Sequence, residues 1–183
     1  MNIAVMALQG AFIEHEAMLR RLGADCFEVR QASDWERPKD GLILPGGEST
    51  VQRRLLEDLG LFEAVRRDIL AGLPVLGTCA GMILLSEGYL GTMDIHVRRN
   101  AYGRQLGSFH TTGNVEGIGN DIPMTFIRAP YVEETLSSAC QPIATIDEHI
   151  VATRQGRQLA TAFHPELDND IRIHQFFLEH LCS

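Results

Sequence analysis

Cys79 lies in Leu73-Pro-Val-Leu-Gly-Thr-Cys-Ala-Gly-Met-Ile-Leu-Leu85, where an apolar strand runs into Gly-x-Cys-x-Gly and then a helix. Gly77 and Gly81 permit a tight strand-to-helix turn that thrusts the side chain at its apex beyond the strand end. This is a nucleophile elbow with cysteine in place of serine. At a helix N-terminus the backbone dipoles favour the thiolate, the reactive form of a thiol whose free pKa is about 8.5. The alternative is a small buried hydrophobe, the usual part of an isolated cysteine. Cys26, Cys140 and Cys182 lack such surroundings, and the cysteine spacing offers neither a disulfide framework nor a metal-ligand pattern.

A cysteine nucleophile needs a base, and the base an orienting group. His164 and Glu166 in Ala160-Thr-Ala-Phe-His-Pro-Glu166 fit best: two residues apart at the end of an extended strand, their side chains lie on one side. Pro165 restricts His164 to extended conformations. Taken alone, the pair reads equally well as a surface histidine and a solvated glutamate. His15, between Glu14 and Glu16, and His174 and His180 near the C-terminus read as solvated or satisfied histidines. Pro45-Gly-Gly-Glu-Ser-Thr50 also follows a strand and precedes a helix, but has no P-loop lysine. Its two glycines allow the Gly47 N–H to point at a developing oxyanion beside that of Ala80, with a plain structural turn as the alternative.

The elements that position these residues follow from hydrophobic period. Ile3 to Leu8, Cys26 to Arg30, Gly41 to Pro45 and Leu73 to Gly77 read as strands, apolar enough to be buried in a parallel sheet. Phe12, His15, Met18, Leu19 and Leu22 recur at helical spacing, with Gly23 as a C-terminal cap. A further helical stretch from Val51 to Ala71 breaks at Gly60. This β-α-β-β-α-β order predicts an α/β fold, a three-layer sandwich with a mostly parallel central sheet. Beyond residue 92, Asp94 to Arg98, Thr125 to Ala129, Ile143 to Ile146, His149 to Arg154 and Gln158 to Phe163 read as strands, with Gln155-Gly156 as a hairpin turn. The last helix spans Asp170 to Leu181, capped by Asp168 or Asn169, with Ile173, Phe176, Phe177 and Leu181 on its buried face. With no repeat or linker, the 183 residues read as one domain.

Composition removes several classes of function. The chain is 45% hydrophobic and 22% charged, which excludes wholesale disorder. Its 24 acidic against 16 basic residues give a net charge of -8, which repels nucleic acid. No apolar run approaches the roughly 18 residues of a membrane span, and the start MNIAVMALQG lacks a signal-peptide pattern, so the expectation is a cytoplasmic protein.

Together GGEST, GTCAG and FHPE resemble the triad-type (class I) glutamine amidotransferases, whose fold is flavodoxin-like. Leu8-Gln-Gly10 with Glu14-His15, Leu42 to Thr50, Arg99-Asn100 with Gly103-Arg-Gln105, Phe126-Ile-Arg-Ala-Pro130 and Phe163 to Leu167 are similar to the glutaminase subunits of two-component pyridoxal 5'-phosphate synthases. The resemblance spans nearly the whole chain. It implies that Cys79, His164 and Glu166 hydrolyse L-glutamine to L-glutamate and ammonia through a thioester. It further implies an oxyanion hole of Gly47 and Ala80, with Gly47, Glu48, Ser49, Arg99, Ile127 and Arg128 holding glutamine. The implied partner is a synthase subunit with a (β/α)8 barrel, up to twelve glutaminases decorating a dodecameric core, with Gln9 and Gly10 at the docking face. Pyridoxal phosphate is then a product of the complex, so no cofactor and no metal is expected here. Two departures stand out: Glu87 to Met93 is shorter than usual, and His110 occupies a position more often acidic. Residue chemistry alone leaves open another class I amidotransferase, a cysteine hydrolase of related architecture, and a non-catalytic regulatory α/β module.

Overall fold

The computed structural model describes residues 1–99 and 108–183. The segment Asn100 with Gly103-Arg-Gln105 lies outside the described residues. Apolar runs form the centre of the sheet: β1 (Asn2–Met6), β2 (Asp25–Val29), β3 (Gly41–Leu44) and β4 (Val75–Thr78), of which β3 and β4 are buried throughout. Helix α1 (Phe12–Arg21) joins β1 to β2, and α2 (Ala32–Trp35), a single turn absent from the sequence reading, precedes β3. The stretch after β3 divides as expected into α3 (Ser49–Asp58) and α4 (Phe62–Leu70) around Gly60, whose φ is +68°. The six-residue α5 (Ala80–Leu85) follows β4 directly and is buried along its whole length.

The remaining strands are β5 (Ile95–Arg98), β6 (Ser108–Val115), β7 (Gly119–Ile127), β8 (Tyr131–Thr135), β9 (Gln141–Ile146), β10 (His149–Gln155) and β11 (Gln158–Thr161). The main sheet has the order β2-β1-β3-β4-β11-β10-β8-β5, with β9 also paired to β10. From β2 to β11 neighbours are parallel, and from β11 onward they are antiparallel. Gln155 pairs with Gln158 around the expected turn. Strands β6 and β7 form a separate two-stranded ribbon.

Helices cover both faces. Phe177 of the C-terminal helix and Cys182 just past its end fill the space over Gly41 of β3, whereas Gly77 of β4 lies against Gly81 and Leu85 of α5. Gly77 is registered with Leu44, three residues along β3 from Gly41 and therefore on the opposite face. These contacts give the predicted three layers. One expectation fails at the C-terminal helix, which starts only at α6 (Arg172–Phe176) and continues as a π turn over Phe177–Leu181. Neither Asp168 nor Asn169 caps it. Asp168 instead accepts the Thr125 hydroxyl at 3.0 Å, and the Asp170 carboxylate takes the Arg172 backbone N–H at 2.9 Å.

Gly81 is where the elbow meets the sheet: a Cβ there would stand 2.0 Å from the Leu44 carbonyl oxygen. Gly81→Ala is therefore expected to cost about 2–3 kcal/mol, the upper range for overpacking against immovable backbone. Urea unfolding should show a lower midpoint at unchanged m-value.

Candidate active site

The parallel strands β3, β4 and β11 are adjacent, and the residues that leave their C-terminal ends converge. Cys79 follows β4 with φ +50° and ψ −102°, a left-handed conformation that costs an L-residue of order 1–3 kcal/mol. Its backbone N–H donates to the Thr161 carbonyl of β11 at 2.7 Å, which fixes the turn. The thiol is buried and its Sγ lies 4.0 Å from the Ile127 carbonyl. Ala80 opens α5, so its N–H has no partner within the helix.

Beyond β11 the structure corrects the sequence reading. Strand β11 ends at Thr161, and His164 and Glu166 occupy the entry and middle of a 3-10 turn, Pro165–Leu167, rather than the end of an extended strand. Proline at the first position of the turn bends the chain there. The pair still meets: His164 Nδ1 donates to Glu166 Oε1 at 2.6 Å, with both side chains buried. The His164 backbone N–H donates to the Thr125 carbonyl of β7 at 2.9 Å. Burial works against charge on His164, but hydrogen bonds to Cys79 and Glu166, with their negative charge, outweigh it and push its pKa up to about 10. His164 therefore holds its proton as an imidazolium beside the Cys79 sulfur.

From β3 comes the glycine turn. Ala11 N–H donates to the Gly46 carbonyl at 3.0 Å, and Gly10, at φ +104°, leaves room for that oxygen where a Cβ would come within 1.8 Å. In a trans peptide the Gly47 N–H then points away from Ala11. The Gln9 side-chain oxygen accepts the Glu48 N–H at 2.8 Å, and Gln52 donates to the Gln9 and Pro45 carbonyls. Gln9 therefore braces the turn, beyond the interface position expected of it.

Cys79 and His164 open onto a cavity of about 280 Å³, also bordered by Gln9. Every residue expected to hold a ligand lines it: Gly47, Glu48, Ser49, Arg99, Ile127 and Arg128. Ile83 and Pro130 complete the wall without having been anticipated, since an aliphatic helix residue and a proline carry no chemical signal. Arg128, at φ +43°, lies 3.5 Å from Glu48 across the mouth. The buried Ser49 hydroxyl has no hydrogen-bond partner among the described residues. Two residues read as bland, His15 and His174, are completely buried behind the triad, with His15 Nε2 3.4 Å from Glu166 Oε2. The signal for His15 was its place at helical spacing between Phe12 and Met18.

The chain is 56% identical over its full length to a protein of Methanocorpusculum labreanum and 50% identical to one of Desulfitobacterium hafniense, covering 99% and 94% of those proteins. Both are called pyridoxal 5'-phosphate synthase subunit PdxT. A solved glutamine amidotransferase superposes with a TM-score of 0.91 at 41% identity, over 98% of either chain. PurLQS from Thermotoga maritima shares the fold, with a TM-score of 0.72 at 16% identity and 98% coverage of either chain. The model of the SNO glutamine amidotransferase family matches residues 5–183, and the chain belongs to that family.

Proposed function

We propose that the chain is the glutaminase subunit of a pyridoxal 5'-phosphate synthase, hydrolysing L-glutamine with Cys79, His164 and Glu166. The observation that carries the chemistry is the buried His164–Glu166 hydrogen bond beside Cys79, with the cysteine and the histidine both on the wall of a cavity edged by charged groups. The thiolate attacks the side-chain carbonyl carbon of glutamine. The Gly47 and Ala80 N–H groups receive the oxyanion, and the His164 imidazolium gives its proton to the departing ammonia. Water, deprotonated by His164, then cleaves the thioester and releases glutamate. Glu166 keeps the imidazole oriented throughout.

The cavity suits an amino acid. Glu48 can pair the ammonium, and Arg99 and Arg128 the carboxylate. Ser49 supplies an unused buried hydroxyl, and Ile127 an apolar wall. Ammonia would pass to a synthase subunit with a (β/α)8 barrel, up to twelve glutaminases surrounding a dodecameric core. Gln9 and Gly10 would lie at that docking face, where Ile13, three residues further on, is an aliphatic side chain left 62% exposed. No helix among the described residues is long and apolar enough to cross a membrane.

Glutamate release should depend on Cys79, fall about 10⁴-fold or more in Cys79→Ala, and rise when a cognate synthase subunit is added. Release indifferent to the synthase would point to another amidotransferase, and no release in either condition to a non-catalytic module. A pH profile supplies a second check. Because His164 is shifted upward, its proton is held below its pKa of about 10, so activity should persist between about pH 7 and 9 and fall near 10. The imidazolium's contribution to stability follows the same sign: fully present below the unfolded value of 6.5, it is lost as pH rises toward about 10.

A further inference from the structure

The proposed mechanism leaves two completely buried histidines unused: His15 on α1 and His174 on α6. His15 Nε2 lies 3.1 Å from the Thr78 hydroxyl and 3.4 Å from Glu166 Oε2, and its Nδ1 lies 2.8 Å from His174 Nε2. His164, Glu166, His15 and His174 therefore form one row that runs from the cavity wall, where Cys79 also lies, to the last helix.

The direction of this row can be read from the atom at its end. Burial, reinforced by the neighbouring His174 and His164, holds the pKa of His15 well below the usual histidine value, and burial alone lowers that of His174 to about 3, so both rings are neutral. A neutral imidazole has one N–H and one bare nitrogen. His174 Nδ1 has no hydrogen-bond partner among the described residues, and a buried N–H without an acceptor is the costlier orphan. The bare nitrogen of His174 is therefore Nδ1, and its Nε2–H donates to His15 Nδ1. That places the His15 proton on Nε2, hydrogen-bonded to the Thr78 hydroxyl at 3.1 Å and 3.4 Å from Glu166 Oε2, an oxygen with no hydrogen-bond partner of its own among the described residues.

We propose that His15 is a positioning residue of the triad: its Nε2–H, fixed by His174 and seated on the Thr78 hydroxyl, lies 3.4 Å from the rear oxygen of Glu166 and holds that oxygen by charge attraction, so that Oε1 stays on His164. The proposal rests on the glutaminase reading for its kinetic readout, but not for its chemical one. The titratable groups facing His15 are Glu166 from the 3-10 turn, His174 from α6 and His164; Thr78 of β4 adds a neutral hydroxyl. None of them borders the glutamine cavity except His164.

The test compares wild type, His15→Phe, which keeps a ring but no donor, and His15→Gln, whose amide N–H can reach the Nε2 position. Glutamate release is measured in complex with the synthase subunit. Iodoacetamide modification of Cys79 at neutral pH is followed separately by mass spectrometry of the isolated chain. Loss of a polar N–H beside a buried charged carboxylate predicts about a tenfold fall in kcat for His15→Phe, with KM for glutamine unchanged. Cys79 alkylation should slow in parallel, because a loosened Glu166 holds the imidazolium less firmly beside the thiol. His15→Gln should restore most of both. If His15→Phe does not melt cooperatively, His174→Phe carries the same comparison, since without His174 the His15 proton is free to move to Nδ1. A folded His15→Phe with wild-type kcat and alkylation rate overturns the proposal, as does a His15→Gln no better than His15→Phe. A wild type that releases no glutamate would sink the glutaminase reading, while the alkylation comparison would still decide the part played by His15.

Discussion

Everything at this site depends on holding one L-residue, Cys79, in a backbone conformation that it disfavours. The strain is offset by attachments on either side. The Thr161 carbonyl of β11 takes the Cys79 N–H, and Gly81 lets α5 close onto the Leu44 carbonyl of β3. Because α5 is buried along its length, relaxing the elbow would mean lifting six packed residues out of the core. The turn that strains the cysteine therefore ties together the strand before the glycine turn and the strand before the histidine. Sheet order makes this possible, since β3, β4 and β11 are neighbours although β11 lies some eighty residues later in the chain.

Electrostatics impose a second demand. A buried carboxylate and a buried imidazolium are each costly alone and tolerable as a hydrogen-bonded pair. Glu166 satisfies His164 with one oxygen and faces His15 of α1 with the other, and His15 in turn is held by Thr78 of β4 and His174 of α6. The layer of helices on this face thus carries polar groups, where packing alone would call for apolar ones.

Much of this was legible in residue order. The centre of the sheet reads plainly because β1, β3 and β4 are short apolar runs, and the elbow because glycines flank its cysteine. The six cavity residues were reached through motif resemblance, since an exposed arginine such as Arg128 carries little signal of its own. Strand β6 was missed because Ser108–Val115 is mostly polar with a single buried residue, leaving no apolar period to detect. Strand β8 has one buried residue and two adjacent glutamates, and α2 is a single turn. His15 was read through its acidic neighbours when its own place on the helix put it inward. Pro165 was taken to extend the chain where it initiates a turn, because a proline compatible with strand geometry is equally compatible with the first residue of a helix.

The ribbon of β6 and β7 has a further consequence. Its strands pair only with each other, yet the end of β7 supplies Ile127 and Arg128 to the cavity wall, and its Thr125 carbonyl anchors the His164 backbone. Part of the cavity wall and the backbone anchor of His164 thus belong to one strand. A force that a bound ligand exerts on Ile127 or Arg128 is transmitted over two or three residues to the base. Under the proposed function, binding energy gained at the wall would be spent on aligning the imidazole, so that occupancy of the cavity and readiness of the triad would be a single linked equilibrium.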